Sequence, residues 1–349
     1  MDSTNKPFIS IVAPCYNEEA ILPGNLTTIL NYMDSKSYKY KWEVIIINDG
    51  SKDTTGEIAD NFASERNEIK VIHHPINLNL GHALQTGFMH AKGDIIVVLD
   101  IDLSYSVSYI EELVEKLLQS AADIVIASPY MKGGKVTAVP FLRKTMSKWV
   151  NKFMRLAAQD KYYTYTSMVR AYKRTFVQSL NLKTKDYEIS PEIIYKSMIL
   201  RARIVEIPAH LDWTEQNKFA EKRKSSLKVL RSFFSGLMSG FIFRPYIFFM
   251  GIGIFLMLLS LYELVWLLYD TLSFIAQSKI PSSFSESLAL QFRKNPQSFL
   301  VGGITFVIAI QFLSVGFLSL QSKRYFEELF HLGTSLKKES TKKNHSGEI

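Results

Sequence analysis

With 349 residues, the chain is long enough for about two domains. Its 23 Phe, 17 Tyr and 4 Trp exclude an intrinsically disordered protein, and its single Cys excludes a scaffold held by internal disulfides. The formal net charge of +8 leaves three classes of partner open, namely nucleic acid, an anionic membrane surface and phosphorylated substrates.

The N-terminal part of the chain alternates short apolar runs with longer helical patterns. Runs of almost continuous apolar residues, as in strands covered on both faces, predict strands over 8–13, 43–47, 70–72, 94–99 and 123–127. Apolar residues at helical spacing predict helices over 19–33, 54–66, 81–91 and 108–119. The alternation predicts an α/β domain with a mostly parallel sheet.

Polar segments follow the first four predicted strands, over 14–19, 48–55, 77–87 and 100–102. In open sheets of this class, ligands bind beyond the carboxyl ends of the strands. Each segment alone is common in proteins, because Asp-x-Asp and Asp-Gly-Ser occur by chance. Four of them in order, each at the end of a predicted strand, indicate one ligand site.

Asp100 and Asp102 are predicted to be catalytic and to hold a metal ion. One residue separates them, so both carboxylates can approach one divalent cation, and such hard oxygen ligands suit Mg²⁺ or Mn²⁺. A metal there neutralises the charge that develops on a departing diphosphate.

Three further positions have roles that follow from their chemistry. Asp49 can accept hydrogen bonds from a nucleobase or ribose, and Tyr16 offers a ring to a base. Asp53 is interpreted mainly as a residue that builds a turn and caps a helix. Gly81 opens a helix, where a glycine permits either close packing or approach to a phosphate.

Two almost uncharged stretches, 245–269 and 298–320, exceed the ~20 residues that cross a bilayer core. Two transmembrane helices are therefore predicted, with buried helices of a soluble protein as the alternative. Seven Lys or Arg residues lie within 218–244 and six within 321–343, but only three within the connecting loop 270–297. This asymmetry predicts cytoplasmic termini and an extracytoplasmic loop. No signal peptide is expected at the start.

Apolar residues at helical spacing between Ser225 and Gly240, with cations off that stripe, predict a basic amphipathic helix on anionic headgroups. A helix packed on the globular domain is the alternative. Along the chain, the predicted order is a cytosolic catalytic domain (1–217), the interfacial segment (218–244), the first span (245–269), the extracytoplasmic loop (270–297), the second span (298–320) and a basic cytosolic tail (321–349).

These motifs resemble the family 2 glycosyltransferases with a GT-A fold, over about residues 7–230. With two C-terminal spans, the chain resembles their polyprenyl-phosphate branch, which includes dolichol-phosphate mannosyltransferases and bacterial GtrB-type glucosyltransferases. The resemblance implies that the nucleotide is held by Pro14, Tyr16, Asn17, Glu18 and Asp49. It also implies that Asp100 and Asp102 bind the metal and the diphosphate; Asp100 and Gly81 complete the predicted nucleotide-sugar site.

The resemblance extends to the acceptor side. A basic segment after the fifth strand faces the acceptor phosphate in that family, and Arg143 and Lys144 stand at that place, with Arg143 also expected to be catalytic. The segment 166–172 resembles the family's Thr-Gly-x-Phe-Arg and supplies Arg170. Arg223 lies in a segment that replaces a further basic motif of the family.

Beside that replaced motif, four further departures from the family pattern are present, and the departures lie mostly on the acceptor and sugar side. Asn48 replaces the first of two aspartates, and Leu103-Ser104-Tyr105-Ser106 replaces Leu-Gln-His-Pro. Ser128-Pro129-Tyr130 lacks an arginine, and Thr164 stands where an aspartate is usual.

The predicted reaction moves a hexose from a UDP- or GDP-linked sugar to a polyprenyl phosphate in the membrane. The acceptor oxygen is already anionic at neutral pH, so the reaction requires no strong general base. The resemblance implies inversion at the anomeric carbon. The chain lacks a Gln-x-x-Arg-Trp segment of the processive type, which favours a single transfer per acceptor.

Alternatives stay open. A transferase acting on a lipid hydroxyl, such as diacylglycerol or a glycolipid, needs a carboxylate base, for which Asp160 or Asp186 would have to serve. A membrane scaffold without turnover is disfavoured by the intact Asp100 and Asp102 pair. A nucleic-acid reader is disfavoured because the cations cluster beside the spans. Membrane lipids are expected partners, and a homo-oligomer is expected from the spans.

Overall fold

The computed structural model describes residues 6–158, 162–218, 245–277 and 283–346. Arg223, Asp160 and nearly all of the predicted interfacial segment lie outside the described residues. The chain divides into two compact units, Met1–Phe243 with Phe330–Ile349, and Arg244–Leu329.

The first unit is built on a seven-stranded sheet of order β3-β2-β1-β4-β7-β5-β8, beside a small β6-β9 pair. The strands are β1 (Phe8–Cys15), β2 (Lys41–Asn48), β3 (Ile69–His73), β4 (Ile95–Val98), β5 (Ile124–Ser128), β6 (Lys135–Thr137), β7 (Arg170–Lys173), β8 (Ile204–Pro208) and β9 (His210–Asp212). Only β7 runs antiparallel within this described sheet, to both β4 and β5. The predicted α/β class with a mostly parallel sheet is confirmed.

Helices cover both faces of the sheet. They are α1 (Leu22–Ser35), α2 (Thr55–Glu65), α3 (Leu80–His90), α4 (Tyr109–Ser120), α5 (Phe141–Ala157), α6 (Arg174–Ser179), α7 (Ile189–Ile199) and α8 (Thr214–Lys218). One buried cluster joins α1, α2 and α4 to the sheet, and a second joins α3, α5, α6 and α7 to its other face.

Alternation along the central strands explains why their sequences are apolar throughout. In β1, Ile9 and Ile11 face the α1 side while Val12 faces the α3 side; in β2, Ile46 and Ile45 divide in the same way. Because successive side chains of a strand point to opposite faces, a sheet covered on both sides needs apolar residues at every position.

The described residues of the second unit form three helices, of which the first and the third are long and apolar. They are α9 (Pro245–Gln277), α10 (Phe284–Lys294) and α11 (Pro296–Ser346), of which α11 runs on into the first unit. Pro245–Gln277 and Pro296–Leu336 are long and apolar enough to cross a membrane, each with a mean hydropathy of 2.1 in its best window. These helices contain the two predicted spans and extend beyond them.

Small residues let the two long helices pack closely within this unit. A Cβ on Gly253 would come within 2.8 Å of the Leu313 side chain, and one on Gly316 within 2.6 Å of Met250. The Ser260 hydroxyl donates to the main-chain oxygen of Gly302 at 2.9 Å. Close approach of helices through small residues is the usual packing mode of membrane hairpins.

Candidate functional site

The carboxyl ends of β1, β2 and β4 meet at one edge of the sheet. Cys15 pairs with Asn48, and Val12 pairs with Val98, in parallel register. The segments that leave these strands, 16–19, 49–55 and 99–105, therefore converge, as the sequence predicted. Pro14 lies one residue before this edge, within β1.

Asp49 is buried, and neighbouring groups orient its carboxylate. One oxygen, Oδ1, accepts hydrogen bonds from the main-chain N–H of Leu78 at 2.9 Å and from His74 Nδ1 at 2.7 Å. His74 Nε2 lies 2.9 Å from the Thr86 hydroxyl. In the tautomer with a proton on Nδ1, the ring donates to Asp49 and accepts from Thr86. Among the described residues nothing hydrogen-bonds Asp49 Oδ2, which leaves it as an acceptor for a ligand.

The turn after β2 depends on a glycine. Gly50 has a φ of +65°, and a Cβ there would lie 2.3 Å from the main-chain carbon of Ile76. A side chain is excluded both by conformation and by space. The close approach of these two loops carries Leu78 to the Asp49 carboxylate.

The loop after β1 is fastened to the loop after β2. Asn17, at a φ of +56°, donates its main-chain N–H to the Ser51 hydroxyl at 3.0 Å and accepts from the Lys52 N–H at 2.8 Å. The Glu18 N–H donates to the Thr55 hydroxyl at 2.8 Å. Asn17 therefore shapes the site through its oxygen and main chain.

Asp53 builds the turn that begins α2. Its Oδ1 accepts from the Thr55 N–H at 3.1 Å and its Oδ2 from the Glu19 N–H at 3.3 Å, while Glu19 accepts from the Thr54 N–H at 3.0 Å. These bonds agree with the turn-building interpretation of Asp53. Tyr16, on the same fastened loop, is 39% exposed and offers its ring to a ligand.

Asp100 and Asp102 follow β4 at this edge. Asp102 accepts from the Ser104 N–H at 3.0 Å and from the side-chain amide of Gln216. Desolvation of the Asp100 carboxyl, followed by the negative charges of Asp102 and Glu18, raises its pKa well above its usual range. Within the described chain no donor hydrogen-bonds the Asp100 carboxylate.

The Asp-x-Asp segment is held in a fixed shape. Leu103 has a φ of +49°, a conformation that costs energy in a side-chain-bearing residue. The Asn25 amide of α1 donates to the main-chain oxygen of Ile101 at 2.9 Å. Surrounding structure therefore holds both carboxylates at the sheet edge.

The donor set fits a hard divalent cation. Two neighbouring carboxylates carry negative charge that no described Lys or Arg pairs with directly, and Mg²⁺ and Mn²⁺ prefer such oxygen ligands. Within the described residues no group of three His, Cys, Asp or Glu is placed to hold a metal. Asp100 and Asp102 therefore fit a cation whose remaining ligands come from a bound diphosphate and water.

Arg143 of α5 lies on the other side of this edge. Its guanidinium stacks over the Trp213 ring at 4.3 Å and interacts electrostatically with Asp102, Tyr130 and Tyr187. The structure thus brings together two predicted catalytic residues, Arg143 and Asp102, that lie 41 positions apart in the sequence.

The segment that ends β9 and follows it bonds both to the Asp-x-Asp segment and to β6, which precedes α5. Main-chain N–H groups donate from Asp212 to Ser104 at 2.9 Å and from Trp213 to Thr137 at 3.1 Å. The same segment carries Gln216 to Asp102. Trp213 and Gln216 were not predicted as site residues, because no local motif marks either residue and 114 positions separate Gln216 from Asp102.

Two predicted contacts are corrected by the structure. Arg170 is fully buried and donates to the main-chain oxygens of Ser190 at 3.0 Å and Tyr165 at 2.7 Å, so the prediction that it contacts an acceptor phosphate is wrong. Gly81 is buried, and a Cβ there would lie 2.4 Å from the Thr184 oxygen. Of the two roles open to Gly81, the structure supports close packing.

Lys144 lines a separate cleft along α5, with a volume of about 410 Å³, whose described lining does not include Arg143. The four cations predicted to bind the acceptor phosphate therefore do not form one site among the described residues. Arg143 lies beside Asp102, Lys144 lies in the cleft, Arg170 lies in the core and Arg223 lies outside the described residues.

Known proteins resemble this chain over the same region. Residues 10–180 match the model of glycosyl transferase family 2. A dolichyl-phosphate beta-glucosyltransferase of Trichomonas vaginalis is 29% identical over 60% of this chain and 66% of its own length. A dolichol-phosphate mannosyltransferase of Pyrococcus furiosus is 30% identical over 64% of this chain and 62% of its own length.

An undecaprenyl-phosphate 4-deoxy-4-formamido-L-arabinose transferase of Aeromonas hydrophila is 35% identical over 52% of this chain and 53% of its own length. The chain thus spans less than two thirds of the length of each of these relatives. The matched residues 10–180 include the fastened loops, Asp49, the Asp-x-Asp segment and Arg143. Residues 10–180 thus form a glycosyl transferase family 2 domain, with the GT-A-type fold predicted from its motifs.

Proposed function

We propose that this protein is a membrane-anchored transferase that moves a hexose from a UDP- or GDP-linked sugar to a polyprenyl phosphate. The proposal depends on one observation, that the Arg143 guanidinium lies near enough to Asp102, of the Asp100–Asp102 pair, to interact with it electrostatically. The arrangement suits a reaction that joins two negatively charged partners. The names of three relatives, two dolichyl-phosphate transferases and one undecaprenyl-phosphate transferase, support the acceptor class.

The donor is assigned to the fastened loops. Asp49 presents one oxygen to a base or ribose donor, and the exposed ring of Tyr16 lies on the neighbouring loop. Since Asn17 and Glu18 are used in holding the two loops together, they act mainly by fixing the shape of this site.

Asp100 and Asp102 are assigned to a Mg²⁺ or Mn²⁺ ion and, through it, to the diphosphate. When bound, such a metal supplies Lewis-acid stabilisation of the departing nucleoside diphosphate. The Ser104 N–H and the Gln216 amide each donate to one oxygen of Asp102 and so orient the carboxylate that would hold the ion.

The acceptor phosphate is assigned to Arg143, whose stacking on Trp213 fixes the plane of the guanidinium. One phosphate oxygen forms a bond to the anomeric carbon as the bond from that carbon to the diphosphate oxygen breaks, and the electron pair leaves with the nucleoside diphosphate. A single in-line displacement inverts the anomeric centre. Because the attacking oxygen is already anionic, the chain need not supply a base.

A lipid hydroxyl as acceptor would need a carboxylate as general base, and the candidate carboxylates are already used in hydrogen bonds that hold loops. Asp186 accepts the main-chain N–H of Tyr187 at 2.9 Å. Glu206, which no sequence motif marks, accepts from the N–H groups of Tyr163 at 2.8 Å and Thr164 at 2.9 Å. Both serve to hold loops, and Asp160 lies outside the described residues.

The membrane arrangement is part of the proposal. The basic residues that flank the spans support cytoplasmic termini and an extracytoplasmic loop. The small-residue contacts of Gly253 and Gly316 support a two-helix anchor. Self-association through these spans is proposed as well, with a homo-oligomer as the expected state.

The experiment is a transfer assay with the purified full-length protein. Radiolabelled UDP- and GDP-sugars are supplied with undecaprenyl phosphate, dolichyl phosphate or diacylglycerol in the presence of Mg²⁺ or Mn²⁺. Labelled polyprenyl-phosphate sugar is the expected product for at least one donor. Labelled diacylglycerol without labelled polyprenyl phosphate would establish the hydroxyl acceptor instead. No product and no donor hydrolysis would favour the scaffold.

A further inference from the structure

The order of the strands decides which part of a nucleotide reaches Asp49. In the sheet, β1 lies between β2, which leads to Asp49, and β4, which leads to Asp100. Neighbouring strands are about 4.8 Å apart, so about 10 Å separate the ends of β2 and β4. A nucleotide whose diphosphate is held at the Asp-x-Asp segment then has its ribose over the end of β1 and its base at Asp49. This step rests on the proposed function, since it takes the ligand to be a nucleotide sugar.

One oxygen of the Asp49 carboxylate is fully occupied. Oδ1 accepts from the main-chain N–H of Leu78 at 2.9 Å and from His74 Nδ1 at 2.7 Å. An ionised carboxylate can only accept hydrogen bonds, so His74 donates from Nδ1 whether its ring is neutral or charged. Each carboxylate oxygen has about two lone-pair positions, and these two donors fill both of them at Oδ1.

The other oxygen is the part of Asp49 that remains for a ligand. No described residue hydrogen-bonds Oδ2, and the side chain as a whole is 5% exposed. Oδ2 is not one of the fully enclosed polar atoms that lack a partner in the described chain, so it keeps contact with the surface. A base that reaches Asp49 therefore meets a single accepting oxygen on an otherwise buried carboxylate.

A single accepting oxygen distinguishes the bases of nucleotide sugars. Uracil presents one donor, the N3–H, between two carbonyl oxygens, and this edge needs one carboxylate oxygen. Guanine presents two neighbouring donors, N1–H and the N2 amino group, which together need both oxygens. At Asp49 one guanine donor would face Oδ1, whose lone pairs are already used, and a donor buried without a partner weakens binding. The unprotonated N3 of cytosine would face Oδ2 as one acceptor against another.

We propose that His74 determines the base specificity of this site and that the donor substrate is a UDP-linked sugar. By filling Oδ1 together with the Leu78 N–H, His74 leaves Asp49 with one oxygen for a base, which suits uracil. His74 is thus a positioning residue that acts through Asp49. The Thr86 hydroxyl, 2.9 Å from His74 Nε2, holds the ring in the orientation that this role requires.

The first test measures nucleotide binding to the full-length parent protein. Isothermal titration in the presence of Mn²⁺ compares UDP, N3-methyl-UDP, CDP and GDP. UDP should bind about tenfold to a hundredfold more tightly than GDP, the range for one buried donor left without a partner. N3-methyl-UDP and CDP, which lack the N3–H, should also bind at least about tenfold more weakly than UDP. If GDP or N3-methyl-UDP binds as tightly as UDP, the assignment of a uracil site is wrong.

The second test compares two variants of His74. His74→Leu frees one lone pair of Oδ1 for a base, so the preference for UDP over GDP should fall about tenfold. His74→Asn is the matched control, because its side-chain amide can donate in place of Nδ1 and should keep the preference of the parent protein. A merely structural role of His74 would weaken both nucleotides equally in His74→Leu, and an unchanged ratio there would refute the specificity role. The comparison of nucleotides on the parent protein does not depend on the folding of either variant.

The outcomes separate this proposal from the proposed sugar transfer. Selective binding of UDP without any labelled polyprenyl-phosphate sugar would support the uracil site and count against the acceptor. Transfer from a GDP-sugar, with GDP bound as tightly as UDP, would support the acceptor and overturn the uracil site. Failure of all four nucleotides to bind would refute both.

Discussion

The two sides of the sheet edge are built in different ways. On the donor side, Asn17, Asp49 and Asp53 are each fixed by hydrogen bonds from neighbouring loops, so little reorganisation is left for nucleotide binding. On the acceptor side, Arg143 stacks on Trp213 and interacts electrostatically with Asp102, and Lys144 with three further cations of α5 lines an open cleft. The difference is what the proposed function requires, namely a preformed site for the nucleotide sugar and a more open, basic side for the acceptor.

The largest effect is expected at the metal pair. Asp102→Asn should reduce sugar transfer by about a thousandfold or more, because a bound metal supplies several kcal/mol of transition-state stabilisation. Chelation of divalent ions should have the same effect on the parent protein. Mn²⁺ binding followed by electron paramagnetic resonance checks the cause. Asp94→Asn, at the other end of β4, is the control, and equal losses in both variants would refute the metal assignment.

Arg170 tests whether a family motif can be structural. Arg170→Leu should lower the free energy of unfolding by about 2–4 kcal/mol, since two buried carbonyl oxygens lose a charged donor. Thermal unfolding of the full-length protein measures it, beside the exposed Arg203→Leu. An unchanged melting temperature with weakened acceptor binding would restore the prediction made from the sequence.

Arg143 tests the acceptor side directly. Arg143→Ala should lower kcat/KM for the polyprenyl phosphate by about tenfold to a hundredfold, the range for a lost hydrogen bond to a charged group. The KM for the nucleotide sugar should stay near its parent value. Arg143→Lys should rescue little, because an ammonium group lacks the planar fork that stacks on Trp213. If the variant lost affinity for the nucleotide sugar alone, Arg143 would contact the donor and not the acceptor.

Gln216 tests whether the segment after β9 orients the metal-binding carboxylate of Asp102. Gln216→Ala should weaken Mn²⁺ binding about tenfold, since groups that orient a metal-binding carboxylate contribute in this range. Isothermal titration with Mn²⁺ and nucleoside diphosphate measures the change. Unaltered affinity would show that the Ser104 N–H alone orients Asp102.

The smallest effect is expected at Thr86, the last member of the chain of bonds behind Asp49. Thr86→Val removes one hydroxyl and should raise the KM for the nucleotide sugar about fivefold, the value of a single neutral hydrogen bond. The KM for the acceptor should not change. An effect confined to the acceptor would show that His74 does not act through Asp49.

The sequence predicted the positions that depend on local pattern. Continuous apolar runs located β1, β2 and β4, and the order of strands and helices then placed Asp49, Asp100 and Asp102 at one edge. Roles that depend on tertiary packing could not be predicted from local sequence pattern. Arg170 has the same chemistry as a phosphate ligand, and only its burial against Ser190 and Tyr165 distinguishes it.

The partners of the site residues were also out of reach of the sequence. His74 orients Asp49 across 25 positions, and Gln216 reaches Asp102 across 114, so no local spacing connects either pair. Gly81 had two acceptable roles as a helix-opening glycine, and the main chain of 184–186 packed against it decides between them.

The antiparallel strand β7 has a consequence for synthesis. β1 to β4 are complete by Val98, whereas β5 is separated from β4 by a strand that is made only at residues 170–173. As the chain emerges from the ribosome, the half of the sheet that carries Asp49 and the Asp-x-Asp segment has all its strands early. The half that carries α5 has to wait for β7. The edge that carries Asp49 and the Asp-x-Asp segment therefore has its framework before the α5 half has one, and aggregation during folding should be greatest in that interval.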